Sequence, residues 1–287
     1  MTLRSYLQAV RPQTRSMLLC IWFTAPPLLF GQTNGAQTLP APVAHGELLR
    51  IVDATRVDRA PKLDGTLDDP LWQQAAPISN FLQREPYEGQ SPTESTEVRV
   101  LYTKHSVYFG IACHDSNPRG IVATELRRDV TQHLDDYFEI VIDSAHDRRN
   151  AYVFHINPLG TQRDALITEE QDAGGDDDGD SGWDGIWTSE ARIGENGWTA
   201  TVAIPFSTLN FMKSSDVIWG INFKRFIRRK NEEDLWSGWQ RVNGVKRISQ
   251  AGELQGISEI GTAGSLSSNP TAYWASSTCL RVSPVQG

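Results

Sequence analysis

The chain predicts an all-β fold, an antiparallel β-sandwich with one short helix and long loops. Three observations lead there. Seven or more short runs of β-branched and aromatic residues recur between Val98 and Ile227. Clusters of Gly, Pro, Asn and Asp separate them, and no long apolar stripe of helical period interrupts them. A Gly-Glu-Asn-Gly step at 194–197 joins two of the runs, which is a hairpin signature.

The elements follow in order. Residues 1–36 read as a secretory leader. Arg4, Arg11 and Arg15 precede an apolar run from Met17 to Phe30, and small residues follow at Gly31, Gly35 and Ala36. The run is shorter than the ~18 residues of a spanning helix, and Pro26 and Pro27 break it. Residues 37–46 are a Pro- and Ala-rich linker, and the sandwich occupies 47–260. Leu48 to Val57 reads as an edge strand. Asp69 can cap a helical turn that opens on Pro70 and anchors Trp72 in the core. Strands are expected at 98–102, 107–112, 137–142, 151–156, 163–168, 187–193, 198–204 and 219–227. Residues 172–184 form an acidic, Gly-rich loop. Residues 261–287 lose the apolar pattern and read as a divergent, disordered tail.

Charge narrows the partners. Loss of the leader moves the net charge from −8 to −11, because it takes away three arginines and no acid. So acidic an exported domain is a poor partner for nucleic acid, whose phosphates need a basic face. It suits neutral sugars and calcium. Cys113 and Cys279 alone remain beyond the leader, so stability must come from a hydrophobic core and not from a disulfide framework.

The run from His133 to Asp143 carries the most chemistry. Along a strand, Tyr137, Glu139, Val141 and Asp143 share one face, and Phe138, Ile140 and Ile142 share the core face. An acidic row on a sheet surface can hydrogen-bond sugar hydroxyls or hold a hard cation; a solvated charged surface is the plainer reading. Asp136 and Glu139 fall on opposite faces, which argues against a glycosidase pair. No Gly-x-Ser-x-Gly, His-Glu-x-x-His or Cys-x-x-Cys motif is present, and no enzyme activity is expected.

These pieces together resemble the family 9 carbohydrate-binding modules. Leu63-Asp64-Gly65-Thr66-Leu67-Asp68-Asp69-Pro70-Leu71-Trp72 is similar to their opening motif, and Asp136-x-x-Glu139 with Asp143 to their acidic strand. Asn157-Pro158-Leu159-Gly160 resembles their turn, and Gly197-Trp198 with Ile204-Pro205-Phe206 their closing hairpin. The resemblance covers about residues 55–260. A further likeness is to the amino-terminal domain of bacterial outer-membrane barrel proteins. It is carried by Trp183-Asp184-Gly185-Ile186-Trp187, by the stretch from Gly220 to Glu232, and by Gly252-Glu253-Leu254-Gln255-Gly256-Ile257.

The first resemblance implies a lectin-like sandwich that binds a polysaccharide or oligosaccharide without cleaving it, as the companion of a glycosyl hydrolase in carbohydrate catabolism. It places the first aromatic platform near His133 and the second at Trp236 or Trp239, with Asp136, Glu139 and Arg163 at the rim. Aromatic faces suit the C–H faces of a pyranose, and carboxylates and arginine grip its hydroxyls. It also implies a structural calcium ion. Asp64 is the first candidate ligand. Asp176, Asp178 and Asp180 have alternate spacing but lack the Gly and closing Glu of a calcium loop. The second resemblance implies a periplasmic plug or interaction domain of a truncated outer-membrane β-barrel protein, with an outer-membrane barrel as its partner. A haem-binding domain ranks last, because methionine ligands are scarce: the chain has three Met. The protein is expected to be exported, to the periplasm, the outer membrane or beyond.

Overall fold

The structure is a computed structural model that describes residues 49–130, 134–168, 180, 182–211 and 217–260. The expected leader, linker and tail lie outside these residues, as do His133, Asp176 and Asp178.

Two sheets face each other. The strands are β1 (Ile51–Asp53), β2 (Thr55–Arg56), β3 (Leu82–Glu85), β4 (Thr96–Tyr102), β5 (Ser106–His114), β6 (Tyr137–Asp143) and β7 (Ala151–Ile156). They continue with β8 (Gln162–Ile167), β9 (Thr188–Gly194), β10 (Gly197–Pro205), β11 (Val217–Ile227), β12 (Glu232–Leu235) and β13 (Gly252–Ile257). The larger sheet runs β1-β13-β11-β6-β7-β8, and β12 and β3 extend it from the far half of β11. The smaller runs β2-β4-β5-β10-β9. Pairing is antiparallel except for β1 with β13 and β2 with β4.

Alternation builds the core. Val98 and Val100 of β4, Phe109 of β5, Phe138 and Ile140 of β6, Phe154 of β7, Val202 of β10, and Trp219 and Phe223 of β11 meet between the sheets. The β9–β10 hairpin forms where the Asn-Gly signal predicts it. Gly197 has a φ of 129°, and a Cβ there would lie 2.1 Å from the Cys113 carbonyl oxygen. Only glycine fits.

Each sheet is also covered on its outer side. Residues Pro70–Gln74 form a short 3-10 helix, capped as expected by Asp69, whose carboxylate accepts from the Leu71 amide at 3.0 Å. Its Trp72 is fully buried, but against Leu101, Tyr108 and Ala203 on the outside of the small sheet, not in the central core. The segment after β12, residues 236–251, crosses the outside of the large sheet. Its Val245 and Ile248 pack on Val141, Val153 and Ala165.

Strands β3, β12 and β13 have no counterpart in the sequence expectation. Gln-Arg-Glu and Glu-Glu-Asp runs mask the first two, since their alternation is polar against polar.

Candidate functional site

The registers of five neighbouring strand pairs place six residues in one line across the outer face of the large sheet. They are Leu82, Leu235, Lys224, Glu139, His155 and Arg163, on β3, β12, β11, β6, β7 and β8. Opposite charges meet in the middle of that line, with an imidazole beside them. Lys224 Nζ lies 2.9 Å from a Glu139 carboxylate oxygen, and His155 Nδ1 lies 4.0 Å from the same atom. Above them, Tyr137 stacks on His155 at 4.1 Å and on Phe226 at 5.2 Å between centroids, and Lys224 Nζ stands 5.2 Å from the Tyr137 ring.

As expected, Tyr137, Glu139, Val141 and Asp143 share a face, opposite Phe138. That face is not a surface, however. Every residue of β6 is buried, because the 236–251 segment closes over it. Asn222 pins the start of that segment: its side chain donates to the Ser237 carbonyl at 2.9 Å and accepts from the Ser237 amide at 3.0 Å. Burial alone would raise the Glu139 carboxyl pKa. Lys224, Lys246 and His155 more than reverse this and hold it below the usual carboxylate range. Burial opposes the Lys224 charge too, but Glu139 outweighs it and keeps the ammonium well above its ordinary value. Asp143, at the strand's end, is raised to about 6 by burial despite accepting from the Arg148 and Asp147 amides.

The expected site residues separate into three groups. Glu139 and Arg163, which is 7 % exposed, lie beneath the cover on the line just described. Asp136 sits on the opposite side, buried at the end of the sandwich, where its Oδ1 accepts from the Arg228 amide at 2.8 Å. The two tryptophans part company. Trp236 is 4 % exposed and belongs to the central core, against Phe223 and beneath Arg50. Trp239 lies on the outer side, partly buried on the outer cluster.

The metal candidates are dispersed. Asp64 closes a turn: it accepts from the Thr66 amide and hydroxyl at 3.0 and 2.8 Å and pairs with Lys62. Those bonds, the one from Lys62 first, lower its carboxyl to about 2. Asp180 accepts from the Gly182 amide and makes a backbone bridge to Leu166. Neither joins a carboxylate group among the described residues. Asp129, Asp164 and Asp184 do converge, within 4.8 Å of one another. Arg128 occupies that group, 2.7 Å from Asp184 and 3.1 Å from Asp164.

The residue that sequence reasoning missed is Tyr87. It is 67 % exposed at the tip of the Pro86–Gly89 turn after β3. That turn abuts Trp239: a Cβ on Gly89 would lie 2.9 Å from the indole. Arg241 ties the two loops, bonding the Pro86 carbonyl, Glu85 at 3.0 Å and, through its amide, Glu88 at 3.3 Å. Pro-Tyr-Glu-Gly is a turn signal with an aromatic inside it, so the signal was present. The result is a pair of linked loops at the edge of the covered face that carries Tyr87, Trp239, Arg241 and Glu88.

The covered acidic strand and the aromatic loop edge are thus parts of one two-sheet sandwich, a carbohydrate-binding-module fold. The chain matches the family described as "Carbohydrate family 9 binding domain-like" over residues 63–255, and it is a member of that family. Its fold is similar to that of a family 9 carbohydrate-binding module from Caldicellulosiruptor kristjanssonii in complex with cellotriose. The two share 14 % identity at a TM-score of 0.50, over 83 % of this chain and 100 % of the other. The same organism's module in complex with glucose matches at 14 % identity and a TM-score of 0.51, over 77 % and 98 %. A protein from Bacteroides uniformis, described as a putative carbohydrate-binding protein, matches at 11 % identity and a TM-score of 0.56, over 72 % and 99 %. None of the curated proteins compared matches the chain.

Proposed function

We propose that this protein binds a neutral oligosaccharide without cleaving it, and that Trp239 and Tyr87 are its contact residues. The observation that carries this is the placement of Trp239. It is partly buried and backed by the Gly89 backbone, in the turn that carries the exposed Tyr87 and Glu88, which the Arg241 amide bonds. Indole and phenol rings supply large, rigid faces for the C–H side of a pyranose, and the arginine and carboxylate supply hydroxyl partners. The cellotriose and glucose complexes of its fold relatives support the choice of ligand class.

The role is that of an exported companion to polysaccharide breakdown, with any cleavage done by a partner. Calorimetry with cellotriose, xylo-oligosaccharides and glucose tests the binding. Saturable heat that falls at least tenfold in Trp239→Ala supports it. No heat with any of these sugars at millimolar concentration removes it.

A second reading, an interaction domain for an outer-membrane barrel, draws on a different observation. Leu126, Leu134 and Leu159 are 74, 68 and 41 % exposed. Their loops are bonded to one another through Asp135, Asn157, Thr161 and the Glu125 carbonyl. Leu126→Glu with Leu134→Glu should then abolish co-purification with such a barrel and leave sugar binding intact.

A further inference from the structure

The small sheet ends on β9, and β9 differs from the other sheet edges among the described residues. An exposed edge is a row of unpaired amides and carbonyls, which proteins blunt by keeping edge strands short, irregular or covered. β1 and β2 have three and two residues, and β3 pairs with β12 through a register shift. β8 is bridged by Asp180, which exchanges backbone bonds with Leu166 at 3.1 and 2.9 Å. β9 has none of these devices. It runs from Thr188 to Gly194 in unbroken register with β10 and holds neither proline nor lysine.

Register decides which backbone groups face outward. The two-residue hairpin closes on the Gly194–Gly197 pair, so Arg192 and Glu190 exchange backbone bonds with Thr199 and Thr201. The amides and carbonyls of Ser189, Ala191 and Ile193 therefore point away from the sheet. None of them has a hydrogen-bond partner among the described residues. Two other backbones touch β9, but on its faces. Gly65, bonded to the Thr199 and Thr201 hydroxyls, lies over Ala191 on the outer face. Gly160 accepts from the inward Ser189 hydroxyl at 3.2 Å and approaches Ala191 from the inner face. The edge between them stays open.

The side chains along that edge are self-complementary. Glu190 and Arg192 flank Ala191 on the outer face. Arg192 Nε donates to the Asp64 carbonyl at 2.6 Å, and neither Glu190 nor Arg192 has an ion-pair partner among the described residues. Ile193 leaves an aliphatic side chain 46 % exposed near the hairpin end.

We propose that β9 is a self-association edge, to which a second copy of this chain adds its own β9, antiparallel, about a two-fold axis at Ala191. Ala191 then exchanges backbone bonds with its counterpart, and Ser189 does so with Ile193 of the second copy. Every outward amide and carbonyl is matched. Glu190 stands opposite Arg192 of the second copy in a non-hydrogen-bonded pair, where Cα atoms approach to ~4.5 Å and side chains are closest. The two-fold axis repeats that ion pair on the other side. The two small sheets become one continuous sheet, and Ile193 is covered beside Ser189. An unrelated extended strand could satisfy the same backbone groups, but a second copy supplies the matching charges through symmetry alone.

Sedimentation velocity of the full chain over a range of concentrations reads the association, and a reversible dimer is expected. Glu190→Arg or Arg192→Glu alone sets like charges opposite one another and should weaken association about tenfold. An equimolar mixture of the two variants restores both ion pairs, so it should recover the dimer as a heterodimer. If either variant does not fold, hydrogen exchange of the wild type decides. The Ser189, Ala191 and Ile193 amides should be protected only at concentrations where the dimer forms. A wild type that stays monomeric at millimolar concentration overturns the proposal. So does a dimer indifferent to both charge reversals, a mixture that associates no better than either variant, or edge amides whose exchange ignores concentration.

Discussion

Two tryptophans three residues apart meet opposite fates. Trp236 fills the central core and Trp239 faces outward, and no apolar period distinguishes them in the sequence, because both lie in a loop of irregular backbone. Trp236→Ala should cost about 3–5 kcal/mol of stability, the usual range for an aromatic deleted from a core, read by urea denaturation. Trp239→Ala should leave most of that stability in place and remove sugar binding. Glu139 and Lys224 present a different case. The sequence showed which face of β6 carries Glu139. It could not show that the face is closed, since the residues that close it lie a hundred positions on. Glu139→Gln leaves Lys224 buried without its counter-charge and should destabilise by about 3–5 kcal/mol; adding Lys224→Met should recover most of that loss. The pH dependence has a definite sign. The Glu139 carboxyl is lower in the folded protein than in the unfolded one, so its contribution is full above about pH 5 and drains away as pH falls. The stability gap between wild type and Glu139→Gln should therefore narrow from pH 5 towards pH 3.

At the level of elements, β4 to β11 were legible because each has a turn at its ends and an apolar face. The Asn-Gly hairpin is the clearest instance. Gly197→Ala would press a methyl into the Cys113 carbonyl at a positive φ, and should lower stability by about 3 kcal/mol, measured as a fall in denaturation midpoint. Strands β3 and β12 were illegible for a physical reason. Gln83, Glu232 and Asp234 are buried polar residues, so the inward face carries the composition of an outward one. β6 was legible as a strand but not as a strand buried on both sides, because Glu139 on its outer face imitates exposure.

At the scale of the whole molecule, the described residues form two sheets with a cover on each outer side, and one cover borders the proposed sugar contact. A ligand that binds only the folded form should raise stability by about 2.7 kcal/mol at a hundred times its dissociation constant, visible as a concentration-dependent shift in melting temperature. The same architecture has a chemical by-product. Cys113 is buried on β5 beneath the hairpin, and burial pushes its thiol up to about 12. Native Cys113 is therefore shut off from alkylation and from oxidants, even in an oxidising compartment. In a chain with Cys20 and Cys279 changed to serine, the rate at which iodoacetamide labels this one sulfur becomes a clock for global opening. It would time how often the sandwich comes apart under conditions where no denaturant is added and almost every molecule is folded.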